Sequence, residues 1–570
     1  MKRLLKYLKG YYKQTVLGPL FKLFEATLEL IVPLIIASII DNGILASDTS
    51  LTIKMSLLLV LLGAVGLMFS VTAQYFAAKA SVGFVAKIRY ALFAKIQTLS
   101  YSDLDNVGTS TIITRMTADA NKVQNGLNLT LRLLLRSPFV VFGAMIMAFV
   151  VDPDSALSFA VVIPVLSVIV FGIMLLSMPL YKRVQKSTDK VLGRTRQNLS
   201  GVRVIRAFCN EQSEIDGFTE ENDVLTHEQK KVGKISALLN PLTYVIINLA
   251  ILWLMHSGAI QVKSGELTQG QVIALYNYMS QILVELIKLA NLIISITRAL
   301  ASAQRIADVL DIPSTEINGE IKELEASEYS VEFNNVSLRY EGAGDDSVKS
   351  VSFKVRSGET VGIIGGTGSG KTSLVNLIPG FYSATCGDVL INGNNVKEYD
   401  KSALREAIGV VPQKAVLFKG TVRENLKWGN PNATDEELYT ALEIAQAKGV
   451  VDDKGGLDAM IEQGGRNLSG GQRQRLTIAR ALVASPAILV LDDSASALDY
   501  ATDAALRSAL KTIKNTTVFI VSQRTSSVMF ADQIIVLDDG EAVGIGTHEE
   551  LLSTCPVYKE IYDSQFRKED

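Results

Sequence analysis

Cysteine and histidine are scarce in this chain, with three of each among 570 residues. Cys209, Cys386 and Cys555 lie far apart, with no CxxC pair and no metal-ligand spacing. That argues against a disulfide framework or a zinc cage and leaves reduced structural thiols. His256 falls near the outer end of an apolar run, where packing is a better reading than ligation, and His227 and His548 are expected at the surface. A strong charge imbalance is also missing: the formal net charge is −2, which gives no reason to expect a nucleic-acid partner. There is no internal repeat and no low-complexity tract. The opening MKRLLKYLKGYYK lacks a short apolar core with a small-residue cleavage site, so no cleaved signal is expected. Its basic and aromatic mixture reads as a helix over 1–14 lying at the cytoplasmic membrane face, with a solvated basic tail as the alternative.

What the chain has in abundance is apolar sequence. Hydrophobic residues make up 48% and mean hydropathy is +0.26, high for a soluble enzyme. The length exceeds what one compact core supports. Six stretches within 15–310, near 16–40, 55–79, 129–151, 155–180, 237–260 and 270–297, meet the ~20-residue requirement of a bilayer-spanning helix. Their connections alternate. The short ones, 41–54, 152–154 and 261–269, carry only Lys54 and Lys263 as basic residues. The long one at 80–128 carries Lys87, Arg89, Lys95, Arg115 and Lys122, and that at 181–236 is richer still, from Lys182 to Lys234. The positive-inside tendency puts the long connections, both termini and the C-terminal half in the cytoplasm, which predicts a multi-pass membrane protein. The long connections have helical apolar spacing, as in KIRYALFAKIQTL, and read as membrane helices continuing into the cytoplasm, with short turns near Tyr101–Asn106 and Ser200–Cys209.

Beyond Arg305 the composition changes. Residues 311–327 read as a polar linker, and 328–570 alternates β-rich runs with helical segments, the pattern of an α/β domain. Within it, VGIIGGTGSGKTSLVNL at 361–377 is a strand, a glycine-rich turn and a helix start, which fits the phosphate-binding loop. Gly365, Gly366, Thr367, Gly368, Ser369 and Gly370 would present backbone N–H groups to the β- and γ-phosphates of a nucleotide. Lys371 supplies charge, Thr372 offers its hydroxyl to Mg²⁺, and Ser373 follows in the first helical turn. ILVLD at 488–492 reads as the buried strand whose Asp492 holds Mg²⁺, directly or through water.

NLSGGQRQRLTIAR at 467–480 carries the LSGGQ signature of ATP-binding cassette ATPases, and the whole chain resembles a half-transporter of that family. The resemblance implies a multidomain fold: an all-α six-helix transmembrane domain with long cytoplasmic helical extensions, followed by an α/β P-loop ATP-binding cassette. It also implies two cassettes closing head to tail, so that Leu468, Ser469, Gly470, Gly471 and Gln472 cap the γ-phosphate held by the opposite phosphate loop. By the same resemblance Tyr340 in FNNVSLRY stacks on adenine, with a packed strand-end tyrosine as the alternative. Gln413 in VVPQ senses Mg²⁺ and signals to the membrane half, and Asp499 in SALD crosses the cassette interface. The segments near Tyr101–Asn106 and Ser200–Cys209 resemble coupling helices.

Two positions depart from that pattern. Asp493 stands where the family usually has glutamate, and Gln523 in VFIVSQRTSS stands where a switch histidine is expected. A general base must reach the water it activates. One methylene less retracts the carboxylate by roughly 1–1.5 Å, and ~1 Å of misplacement can cost about 10²-fold. Glutamine can hydrogen-bond a γ-phosphate but cannot carry a proton. With the phosphate loop, Asp492 and LSGGQ intact, this resembles the degenerate-site half of a heterodimeric multidrug exporter whose partner supplies the competent site. The alternatives are a homodimer with two slow sites, and a regulatory or channel-like protein gated by ATP occupancy. In the spans, Glu25, Glu29, Arg132, Arg136, Glu285 and Lys288 are costly in hydrocarbon. They form either a polar patch of a substrate cavity or structural and interfacial pairs. Resemblance to multidrug exporters makes an amphiphilic small molecule the expected substrate, with lipids second.

Overall fold

The computed structural model describes residues 2–313, 318–513 and 515–566. Residues 314–317 of the expected 311–327 linker, and 514 and 567–570 of the expected 328–570 domain, lie outside the described residues, as does Met1.

The described chain divides into two compact units. The first takes in residues up to Gln97 together with Ser110–Ile312. It contains six helices long and apolar enough to cross a membrane: Tyr12–Ile44, Thr49–Ile96, Thr109–Val151, Pro153–Ala207, Glu211–Ser264 and Gln269–Leu310. At ~1.5 Å per residue the longest, with 55 residues, reaches roughly 80 Å, far beyond the ~30 Å hydrocarbon core. The boundaries follow local chemistry. Asp152 is extended (φ −157°), accepts the Ser155 N–H at 2.8 Å and is followed by Pro153, whose missing N–H costs nothing at a helix start. Thr268 and Gln271 form a capping box, and Gly265 (φ +83°) closes the preceding helix. Small residues let the helices approach closely: Ala26, Ala144, Ala148, Ala156 and Ala274 are fully enclosed around Phe159 and Tyr278. Tyr278 donates its buried hydroxyl to the Leu30 carbonyl at 2.7 Å.

The long connection at 181–236 is a helical hairpin braced by Arg194, which pairs with Glu214 at 3.4 Å and Glu221 at 3.2 Å. The expected turn across Ser200–Cys209 is shorter than the spacing predicts. The helix continues to Ala207, and only Phe208–Asn210 turns, with Cys209 in the left-handed region (φ +51°). At Tyr101–Asn106 the segment is itself a helix, Tyr101–Val107, capped by Ser100 and Asp103 and stopped by Gly108 (φ +76°). His256 is exposed rather than packed, His227 is exposed, and His548 is half-buried with Nδ1 at 2.7 Å from the Tyr558 hydroxyl. All three cysteines are free.

The second unit comprises Pro313 onward and also Thr98–Thr109, which belongs with it rather than with the helical unit. Its strands are β1 (Tyr329–Leu338), β2 (Val348–Arg356), β3 (Thr360–Gly365), β4 (Cys386–Ile391), β5 (Asn394–Asn395), β6 (Ile408–Val411), β7 (Gly420–Thr421), β8 (Met460–Ile461), β9 (Ile488–Asp492), β10 (Thr517–Val521), β11 (Gln533–Asp538) and β12 (Glu541–Gly546). The order β2-β1-β4-β5 makes an antiparallel sheet, and β12-β11-β3-β10-β9-β6 makes a six-stranded one that is parallel except at β12. Strands β9 and β10 are buried along their whole length, which is why ILVLD and TVFIV read as continuous apolar runs rather than alternating ones. The register places Ile363, Val521 and Asp492 side by side across β3, β10 and β9. Three motif-bearing strand ends therefore meet at one edge, the usual location of a ligand crevice in a parallel sheet.

Candidate nucleotide site

The loop after β3 turns through Gly368 (φ +86°) and Gly370 (φ +90°) into the Lys371–Val375 helix. A Cβ at Gly370 would strike the Ser347 carbonyl, so that glycine is required both by its φ and by close backbone approach. At Gly366 and Gly368 a Cβ would meet nothing within 4 Å, which leaves the mouth of the loop open. The buried Lys371 ammonium donates to the Gly365 carbonyl at 2.9 Å and the Gly366 carbonyl at 2.5 Å. Burial pulls its pKa down, and the charges of Asp493 and Asp492 oppose that. A cation sitting on its own loop carbonyls inside an open cradle of amides fits a polyphosphate.

Thr372 donates its hydroxyl to Asp492 at 3.0 Å. Asp492 is 5% exposed, and burial raises its carboxyl above the ordinary aspartate range despite the Thr372 hydrogen bond. A hydroxyl and a poorly hydrated carboxylate at the loop are hard oxygen donors of the kind Mg²⁺ accepts. Asp493 follows in the left-handed region at φ +46°, its N–H bonded to the Val521 carbonyl at 3.0 Å. Its carboxylate accepts from the Gln413 amide at 3.1 Å. Among the described residues Gln413 hydrogen-bonds the base position and makes no hydrogen bond to Asp492 or Thr372. Gln523 is exposed at the end of β10, and its backbone carbonyl accepts from Gln565 at 2.8 Å.

The remaining predicted residues stand apart from this group. Leu468 is buried, and Ser469 caps the Gly470–Val483 helix in a capping box with Gln472. A Cβ on Gly471 would meet the Ala497 carbonyl at 2.9 Å. Among the described residues these make no hydrogen bond to residues 365–373, so one chain does not bring signature and phosphate loop together. Asp499 is exposed and caps the Tyr500–Leu510 helix, where the Thr502 N–H holds its carboxyl below the usual range. Tyr340 donates to Ser373 at 3.0 Å and lies edge-on to Tyr382, ring centres 5.0 Å apart.

Tyr382 was not singled out by its sequence. Its hydroxyl donates to Asp105 at 2.6 Å, and Tyr101 stacks on Phe381 at 4.3 Å. Asn106 donates to Glu341. The aromatic that leads to the loop is thus wired to the Tyr101–Val107 helix through FY at 381–382. The only sequence signal was that exposed-looking aromatic pair behind the phosphate-loop helix.

The charges in the spans are drawn into ion pairs. Glu285 is 3% exposed and accepts from Arg136 at 2.6 Å, Ser137 at 2.8 Å and Lys288 at 2.8 Å, a structural knot. Arg136 also holds Glu29 at 2.6 Å, and Lys22, 6% exposed, holds Glu25. Among the described residues the buried Nε atoms of Arg132 and Arg136 have no acceptor.

The family model "ABC transporter transmembrane region" matches residues 15–286, and that of "ABC transporter" matches residues 348–496. The uncharacterized ABC transporter ATP-binding protein YfiB of Bacillus subtilis (strain 168) is 36% identical over 571 residues, covering 100% of this chain and 99% of its own. An ATP-dependent lipid A-core flippase of Desulfotalea psychrophila is 32% identical over 84% of each chain. The solved structure of a bacterial Atm1-family ABC exporter with ATP bound superposes with a TM-score of 0.82 at 23% identity, covering 98% of this chain and 100% of that one.

Proposed function

We propose, for a chain that belongs to the ABC transporter family and has the layout of a half-transporter, that it is one subunit of a heterodimeric exporter of amphiphilic compounds in a bacterial cytoplasmic membrane, with both termini cytoplasmic. The observation that carries this reading is the contrast around β9. Lys371, Thr372 and Asp492 form a complete anchoring group, whereas the adjacent position holds the short carboxylate of Asp493, tied to Gln413, and Gln523 replaces an ionisable switch. In this reading the loop of 365–373 binds ATP, Thr372 and Asp492 hold its magnesium, and Tyr340 receives the base. Bound magnesium would neutralise phosphate charge. Asp493 is too short to place an attacking water well, so ATP at this site is held longer than it is hydrolysed. Ser469, Gly470, Gly471 and Asp499 act across the interface on the partner's site, where hydrolysis resets the transporter.

The test is ATP turnover by the purified chain alone and together with a half-transporter encoded beside it. The pair should turn over ATP far faster than the chain alone, and equal rates would refute the asymmetric reading. A second reading, a homodimeric lipid exporter, is favoured by the likeness to lipid A-core flippases. It predicts that the chain alone is stimulated by lipid and needs no partner.

A further inference from the structure

We propose that the groove between the Tyr12–Ser38 and Thr49–Ile96 helices is a binding site for a zwitterionic lipid headgroup bearing a primary ammonium, an aminophospholipid of the surrounding bilayer. The groove has a volume of about 560 Å³ and is walled by leucine and valine side chains. Gly63 and Gly66 open one side of it, since a Cβ on either would meet nothing within 4 Å. Its polar content is confined to a few groups. Glu25 and Glu29 are one helical turn apart on the same face. Each gives one carboxylate oxygen to a basic neighbour, Lys22 for Glu25 and Arg136 for Glu29. Among the described residues the other oxygen of each has no hydrogen-bond donor, and Glu29 is 40% exposed. On the floor Arg136 is 7% exposed and its Nε has no acceptor. Two unspent acceptors beside the guanidinium of Arg136, which reaches this groove from a third helix, point to a ligand with both donors and an anionic oxygen.

The charge count selects the headgroup. Counted over the ion-paired residues, Lys22, Arg136 and Lys288 balance Glu25, Glu29 and Glu285, so the paired cluster is neutral as it stands. A ligand of net charge would leave an uncompensated ion at low dielectric, whereas a zwitterion preserves the balance. A primary ammonium has three N–H donors for the two glutamates. A quaternary ammonium has none. The acyl chains would lie along the apolar walls. This site stands independently of whether the ATP sites are asymmetric.

The test uses the full chain in detergent, stripped of native lipid and incubated separately with dioleoyl-phosphatidylethanolamine, -phosphatidylcholine and -phosphatidylglycerol, with retained lipid per protein measured after washing. The ethanolamine lipid should be retained about tenfold over the other two. Gly66→Leu, whose Cβ would meet nothing within 4 Å and whose side chain would occupy the groove, should remove that excess, and Gly172→Leu, at an equally open position on another helix, should not. Glu29→Gln should erase the preference for ethanolamine over choline while the protein remains monodisperse. Equal retention of the ethanolamine and choline lipids, preference for the glycerol lipid, no retention at all, or an undiminished excess in Gly66→Leu would each overturn the proposal. Because the readout is bound lipid and not ATP turnover, such a failure leaves the exporter reading intact.

Discussion

Replacing Glu285 by alanine would strand three donors at once. Arg136, Ser137 and Lys288 all direct hydrogen bonds of 2.6–2.8 Å at this carboxylate, and it is 3% exposed while Arg136 is 7% exposed. Removing one partner of such a buried pair typically costs about 3–5 kcal/mol, because the remaining charge stays desolvated. Lys288 is 43% exposed on its side chain, so its own removal should cost no more than ~1 kcal/mol. The assay is the fraction of detergent-solubilised protein that stays monodisperse after heating, read by size exclusion. Glu285→Ala should lose dispersity many degrees below wild type and Lys288→Ala close to it. The double variant Arg136→Met with Glu285→Leu should recover most of the loss, since apolar replacements of a buried pair are often neutral. If Glu285→Ala and Lys288→Ala melted together, the knot would not be structural, and Glu285 would belong with the cavity-lining groups instead.

Three further outcomes follow from the cassette. Asp492 holds its proton more tightly folded than unfolded, so the nucleotide-free protein loses stability as pH rises above the ordinary aspartate range. Asp492→Asn lacks that titration: it should melt higher than wild type at neutral pH, converge with it in acid, and show no added stabilisation by magnesium with ATP, as thermal unfolding of the full chain across pH would reveal. Gly370→Ala puts a Cβ onto the Ser347 carbonyl at φ +90°, and should cost at least about 1–2 kcal/mol and weaken ATP binding by equilibrium dialysis. Ser469→Ala removes the cap of the Gly470–Val483 helix, worth about 1 kcal/mol, and should slow turnover of the two-chain complex while ATP binding by the chain alone is retained.

Much of this was legible in the residues because the relevant physics is local. A buried parallel strand must be apolar throughout, a phosphate loop must be glycine-rich, and a helix cap must carry Ser, Thr or Asp; ILVLD, GGTGSGK and LSGGQ each satisfy one such demand within a few positions. The six apolar runs are long for the same reason. What was illegible depends on chain geometry between distant segments. The left-handed backbone of Asp493 and its Gln413 partner depend on β6 and β9 lying adjacent. The Tyr382–Asp105 hydrogen bond joins residues far apart in sequence, and Tyr101–Asn106 reads as a turn in its own residues and as a coupling helix only through the family resemblance. Ser200 and Gly201 have the chemistry of turn residues, but neither stops a helix already running from Pro153, so the turn near Ser200–Cys209 is confined to its end at Phe208–Asn210. Charge pairing in the spans was half visible: Glu285 and Lys288 three apart predict a pair, but the dominant partner, Arg136, comes from another helix.

The central claim is that Asp493 and Gln523 make this chain's own site slow while its signature serves a partner. The most direct measurement is steady-state ATP turnover of the two-chain complex carrying Asp493→Glu with Gln523→His. A second competent site should then raise turnover and extend hydrolysis to the nucleotide held by Lys371. If turnover stayed at the wild-type level with that nucleotide still intact, the two residues would not be what silences the site, and the account would be contradicted.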